Sequence, residues 1–320
     1  MIILTNKPGR LANRLFLFAN FVANAKDRGR TVVASSFDEY AVYFERFAGT
    51  FIPRYPQRRR PTASPAVRIL RHILFRLLNR VGKALDQLKL HHSPLHACLV
   101  ATHTNIFDLS DSSLQASLDK PLVFVRNYFF HDLPSLRRHR DFIVSYFAPG
   151  AAYRERAKLF VARERGDSDV LIGSHVRRGD YRRWRSGRYF YSDREYESLV
   201  HRVAALFSST TITFLVCSDE EITLSPEAGL TWSNGPGTEI DDLLAFSLCD
   251  YLVGPPSSFT RWAAFVGNIP LLVVEDPGQE ITLADFKDAL DSPWASHQTV
   301  SPTGKYAPRN SESDDGEPRR

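Results

Sequence analysis

At 320 residues, 43% hydrophobic and 24% charged, the chain is long enough for two domains and too apolar to be disordered. Cys98, Cys217 and Cys249, odd in number and set in apolar or strand-like runs, exclude a disulfide framework and read as reduced core thiols. No apolar run approaches membrane-spanning length, and the net charge of +5 favours an anionic partner: a nucleotide, a nucleic acid or an acidic membrane surface.

Ile2-Ile3-Leu4-Thr5 predicts a first strand that starts directly after Met1, with no basic leader. A loop through Pro8 and Gly9 enters a helix from about Leu11 to Asp27, whose Leu15, Phe16, Phe18, Ala19 and Val22 make a broad apolar face. Gly29 ends it, and Thr31-Val32-Val33-Ala34 follows as a strand. Such a βαβ unit brings its loop to a helix N-terminus, a natural place for an anion.

Four prolines around Arg58-Arg59-Arg60 predict a loop with a solvated charge run. Residues 67–90 predict a basic amphipathic helix, with Ile69, Leu70, Ile73, Leu74, Leu77, Leu78, Val81 and Leu85 on one face beside Arg68, Arg71, Arg76, Arg80 and Lys83. The ordinary use of that face is packing on its own domain; the alternative is contact with anionic lipid. His91, His92 and His96 with Cys98 fit no zinc spacing and read as a loop. Leu122-Val123-Phe124-Val125 is a strand, and the aromatics from Tyr128 to Phe130 after it line either an interdomain cleft or the core. Helical stretches at Leu136–Phe147 and Ala151–Glu164 flank Pro149-Gly150, the expected linker. The division is therefore an N-terminal domain at 1–150 with a basic helical insertion at about 50–95, a second domain at 151–300, and a disordered tail at 301–320.

In the second half Val170-Leu171-Ile172-Gly173-Ser174 reads as a buried strand running into His175-Val176-Arg177-Arg178-Gly179-Asp180-Tyr181. Two arginines and a glycine at a strand end suit phosphate oxygens, although a solvated basic turn has the same composition. Asp167-Ser168-Asp169 imitates a metal-binding Asp-x-Asp, but it precedes a strand and reads as a turn. A capping box, Ser192 with Glu195, opens a helix. A strand at Ile212–Val216 follows, ending at Cys217-Ser218-Asp219. Thr238 with Asp241 starts another helix; strand Tyr251–Gly254, Ser257-Ser258, a helix from Phe259 and strand Leu271–Val274 complete the series. The alternation predicts an α/β fold with a parallel sheet covered on both faces.

The His175–Tyr181 stretch resembles the signature of the α-1,2-fucosyltransferases (glycosyltransferase family 11), and more loosely that of the α-1,6- and protein O-fucosyltransferases. Four further stretches match that family in order: Pro8–Phe16, Phe214–Asp219, Asp242–Asp250 and Ser257–Phe265. Departures fall at Ala12, Arg14, Pro255-Pro256 and Arg261, and residues 35–165 carry little likeness.

The resemblance implies a GT-B-like fold, two Rossmann-type domains facing across a cleft with the donor in the C-terminal one. It implies inverting, metal-independent transfer of L-fucose from GDP-fucose to a glycan or lipid-linked oligosaccharide, at a galactose 2-OH. No metal, other cofactor or nucleic acid is expected. Lacking the transmembrane anchor of animal members, the chain is expected to be a bacterial-type cytoplasmic enzyme, with the 67–90 helix as its one candidate contact with the inner membrane face. Arg177 would hold the β-phosphate, with Asp180 (the candidate general base) and His175 as the other catalytic candidates. Arg178, Gly9, Asn13, Asp219, Asp242, Ser257, Ser258 and Phe259 would bind the donor. Asp242 would accept from guanine or ribose, although a first-turn acid also stabilises a helix by itself.

Three other readings stand beside this one. They are the same fold with another nucleotide sugar or linkage, a transferase that binds donor without turnover, and a polyanion binder using the interleaved cations and aromatics from Arg182 to Tyr189.

Overall fold

The computed structural model describes residues 1–57, 65–102, 106–222 and 230–292, so the Arg58–Arg60 run and the expected tail lie outside the described residues. The N-terminal half contains β1 (Ile2–Leu4), α1 (Leu11–Arg28), β2 (Val32–Ala34), β3 (Arg54–Tyr55), α2 (Pro65–Gln87), β4 (His96–Val100), β5 (Phe107–Asp108), α3 (Ser112–Leu118), β6 (Leu122–Arg126) and β7 (Phe130–His131). Its sheet has the order β3-β2-β1-β6-β4, parallel except for the edge strand β3, while β5 and β7 pair separately. The three strand residues of β1 and of β2 are buried, as continuous apolar runs in a parallel sheet require.

α1 is buried on nearly every side, including Asn20 and Asn24. Both asparagines are satisfied: Asn24 donates to the Leu109 carbonyl at 3.0 Å and to Asp132 at 2.9 Å, and Asn20 accepts from the Asp132 N–H at 2.6 Å. The expected stop is there too, with Gly29 in the left-handed conformation at φ 66°.

α4 (Leu133–Arg138) and α5 (Arg140–Tyr146) follow and pack on α1; the second half then contains α6 (Ala151–Arg165), β8 (Val170–Val176), α7 (Asp193–Ala205), β9 (Ile212–Ser218), β10 (Thr231–Asn234), α8 (Glu239–Phe246), β11 (Tyr251–Gly254), α9 (Ser258–Gly267) and β12 (Leu271–Val273). Its sheet is parallel throughout, in the order β10-β9-β8-β11-β12. Both predicted helix starts form: the Ser192–Glu195 capping box on α7, and Thr238 accepting from the Asp241 N–H on α8. Asp169 accepts from the N–H and hydroxyl of Thr211, so the Asp-x-Asp look-alike is a turn that ties β8 to β9. The halves meet where α1 lies on α9, with the rings of Phe16 and Trp262 edge to face at 5.0 Å. One buried apolar cluster runs through both.

Three expectations need correcting. His96–Val100 is a strand, not a loop: its register against β6 buries Ala97, Cys98 and Leu99, a pairing too short to leave a period in the sequence. The helix predicted at Leu136–Phe147 is two, because the chain turns at His139 between α4 and α5. The third concerns α2. Leu74, Leu78 and Leu85 are half-buried, Leu78 and Leu85 against the Ile3, Val33, Cys98 and Phe124 cluster, but Ile69, Leu70, Ile73, Leu77 and Val81 remain exposed. The apolar face is therefore wider than the surface on which the helix packs.

Candidate active site

Both sheets present their carboxyl ends to one cleft, where loops leaving parallel strands converge. The cleft has two lobes, of about 380 and 520 Å³, that share Arg10, Arg177, Glu239 and Phe259 as common walls. The first lobe is closed by Gly9, Asn13, Tyr128, Trp184, Ser257 and Ser258; the second by Tyr40, His175, Ser218, Asp219, Gly237 and Asp242.

The N-terminal wall is the start of α1. Gly9 has φ +59°, and a β-carbon there would lie 2.0 Å from Asn13 Nδ2, so the loop can turn beneath the asparagine only as glycine. Arg14, one of the departures from the resembled motif, turns inward: its Nη2 donates to the Gly9 carbonyl at 2.9 Å, and its other amino group pairs with Glu39. It fixes this loop and does not line either lobe. Opposite lies the N-terminus of α9, where Ser257 caps the helix by accepting from the Phe259 N–H at 3.1 Å. Arg261 is buried behind it, donating to the Ala289 carbonyl at 3.0 Å with its guanidinium 5.0 Å from the Phe16 ring. There it spans the α1–α9 seam outside both lobes.

At the end of β8 the two arginines part company. Arg177 faces both lobes, 2.7 Å from Asp180 and 3.4 Å from Asp219. Arg178 turns the other way: its Nε donates to the Tyr191 carbonyl at 3.2 Å, and its amino group pairs with Asp193. The expected two-arginine fork is corrected to one, because neighbouring residues on an extended chain point to opposite sides. Only the Arg178 backbone serves the site, through its N–H donated to Asp219 at 2.9 Å.

Burial sets the electrostatics. His175 is enclosed, and its pKa is pushed down to about 3 by burial and then by the Arg177 charge, so its ring is neutral and can donate only one N–H. Its Nδ1 has no hydrogen-bond partner among the described residues. Burial would raise Asp219, but the Arg178 and Gly179 N–H groups and the Arg177 charge hold it below the usual carboxylate range. Asp242 is pushed up to about 6 by burial, although it accepts the Gly237 N–H at 2.8 Å. Glu239 is also raised by burial, which outweighs the Leu11 N–H donated to it and the nearby charges of Arg10, Arg14 and Arg177.

The cleft thus gathers Gly9, Asn13, His175, Arg177, Asp180, Asp219, Asp242, Ser257, Ser258 and Phe259, and leaves out the Arg178 side chain. Sequence reasoning missed Arg10 and Glu239. Arg10 sits inside the N-terminal motif and immediately precedes α1; Glu239 signals itself only as an acid in a first helical turn. Tyr128 resolves the open question about its aromatic cluster, since it lines the cleft while Phe129 and Phe130 are buried. Trp184 packs on Tyr181 and Tyr189 at 4.8 and 5.3 Å.

Two Rossmann-like halves with a ligand-sized cleft between them define the chain as a protein of GT-B architecture. No protein-family model matches it, and no curated protein matches its sequence. Its fold is similar to that of FUT1 of Arabidopsis thaliana, solved as a mutant in complex with GDP. That likeness has a TM-score of 0.55 at 14% identity over 85% of this chain and 70% of that one. It is also similar to the fucosyltransferase NodZ from Bradyrhizobium, with a TM-score of 0.52 at 15% identity over 87% of this chain and 96% of that one. At such identities the likeness is one of fold. The expected GT-B-like architecture and the distant likeness to fucosyltransferases both hold.

Proposed function

We propose that the chain is an inverting glycosyltransferase that moves L-fucose from GDP-fucose to a glycan hydroxyl, with galactose 2-OH on a glycan or lipid-linked oligosaccharide as the acceptor and no metal required. The observation that carries this is Arg177, set at a strand end between both lobes and facing the α9 N-terminus. When the bond between the anomeric carbon and the β-phosphate oxygen breaks, negative charge grows on the leaving diphosphate. The Arg177 guanidinium, the α9 N-terminal amides and the Ser257 and Ser258 hydroxyls stand together to receive it. In this reading the second lobe takes the nucleoside, with Asp242 accepting from guanine, and the first takes the sugar, bounded by Asn13, Tyr128 and Trp184.

The attacking hydroxyl must lose a proton, and two carboxylates border the first lobe. Asp180 is ion-paired with Arg177 at 2.7 Å, so its carboxylate is already engaged by the arginine. Glu239 is shifted toward the protonated form, so we assign it as the general base, with Asp180 orienting Arg177. The acceptor oxygen bonds to the anomeric carbon from the face opposite the diphosphate, its proton passes to Glu239, and GDP leaves.

Calorimetric titration of GDP with EDTA present, followed by turnover with GDP-fucose against GDP-mannose and UDP-galactose, tests the proposal. Micromolar GDP binding and fucose-selective turnover are expected. Tight binding with turnover of a different donor would overturn the donor assignment, and no nucleotide binding would overturn the whole reading.

A further inference from the structure

We infer that α2 docks this protein onto an anionic lipid bilayer, lying along the surface without crossing it. Ile69, Leu70, Ile73, Leu77, Val81 and, just past the helix end, Leu88 are between 38 and 67% exposed. At about 100° per residue all six fall within an arc of about 120°, an apolar stripe along the helix that Arg80 alone among its cations enters, near one edge.

The stripe is locked outward. The opposite face is held by Arg71, which is 1% exposed and donates to the carbonyls of Asp38 at 3.0 Å, Ala48 at 3.1 Å and Thr50 at 2.7 Å. Gly82 completes the contact: a β-carbon there would come within 2.8 Å of the Thr5 hydroxyl. A helix pinned by a buried cation on one side and by backbone-close packing on the other cannot roll over to bury its stripe without breaking both.

Charge says what the stripe meets. Arg76 and Lys83 border the stripe, Arg80 lies near its edge and Arg68 stands further round the helix; all four are exposed, and they have no ion pair among the described residues. Asp86, the one acid in α2, faces His91 and Arg126 instead. An apolar stripe flanked by cations matches a bilayer surface, where the side chains enter the acyl boundary and the cations meet anionic headgroups. No helix of the described residues is long and apolar enough to span a membrane, so the contact is peripheral.

The docking face also adjoins the cleft. His72 lies 3.0 Å from Asp38, and a groove of about 680 Å³ runs between α2 and the Asp38-Glu39 segment. Tyr40, the next residue, walls the second lobe. If the proposed transfer is correct, this places the cleft mouth beside lipid headgroups, where a lipid-linked acceptor presents its sugar; that clause rests on the transfer reading, whereas the docking does not.

The test is flotation of the full chain with vesicles of phosphatidylcholine alone or mixed with phosphatidylglycerol, beside the double variants Ile73→Glu/Leu77→Glu and Arg76→Glu/Arg80→Glu. The wild type should float with the mixed vesicles only. Each variant should lose about tenfold or more in binding while titrating GDP as the wild type does, since all four positions are exposed and outside the cleft. No flotation by the wild type, or flotation that the stripe variant leaves intact, overturns the inference. So does sedimentation showing a wild-type dimer that the stripe variant dissociates, which would assign the stripe to a second copy. A wild type that binds GDP but does not float fails the docking alone, and one that floats but binds no GDP fails the transfer reading alone.

Discussion

Arg177 and Arg178 are adjacent and chemically identical, yet replacing each with alanine should give opposite phenotypes. Arg177 is 15% exposed, borders both lobes of the cleft, and its carboxylate neighbours keep other partners: Asp219 still accepts the Arg178 N–H, and Asp180 is 57% exposed. Removing its guanidinium therefore costs little in stability, about 0.5–1 kcal/mol. A bound diphosphate would lose one charge-assisted bidentate contact, about 1.5–3 kcal/mol, or roughly 10- to 150-fold in the GDP dissociation constant. A full unit charge at about 4 Å in a partly buried site sets the ceiling at about 4 kcal/mol. Arg178 is 8% exposed and binds Tyr191 and Asp193. Its loss should cost about 2 kcal/mol, discounted because Asp193 is 38% exposed and can rehydrate, which corresponds to roughly 4–8 °C in Tm for a domain of this size. Calorimetric GDP titration at low temperature, paired with thermal unfolding of both variants, reads the two axes. If Arg178→Ala abolished GDP binding at wild-type Tm while Arg177→Ala bound normally, the assignment of the two side chains to opposite sides of β8 would be refuted.

Glu239→Gln should lower kcat by about 10²- to 10⁴-fold with GDP affinity little changed, and should abolish the loss of rate on acidification expected of the wild type. Because the Glu239 carboxyl is raised, that loss should begin at a higher pH than for an ordinary glutamate, and a pH–rate profile of both proteins checks it. Asp242→Asn should stabilise at neutral pH while weakening GDP binding. With its carboxyl pushed up from 3.8 to about 6, the wild type has its extra stability only below the unfolded value and loses it as pH rises toward 6. Thermal unfolding between pH 4 and pH 7 should fall with pH for the wild type and stay flatter for the variant, by up to about 3 kcal/mol. Arg71→Met should cost about 3–5 kcal/mol, because it strips several buried carbonyls of their donor; denaturant unfolding measures it.

Much of this molecule is legible in local sequence. β1 and β8 announce themselves as continuous apolar runs because a parallel strand is buried on both faces; the ends of α1, α7 and α8 are written in Gly29, Ser192 and Thr238 because capping needs only neighbouring residues. The motif residues at the strand and helix ends likewise define which loops meet at the cleft, since connection order in such folds follows from the alternation itself.

Side-chain direction and burial are different, because each depends on a partner far away in the chain. Which of two adjacent arginines faces the cleft depends on Tyr191 and Asp193; the N–H that Glu239 accepts comes from the start of α1, more than two hundred residues earlier. His96–Val100 becomes a strand only by pairing with β6. The same holds for α2, whose periodicity predicts an apolar face but not where that face points. The tertiary fold decided that, by spending Arg71 and Gly82 on the inner side and leaving Ile73 and Leu77 to meet something outside the chain.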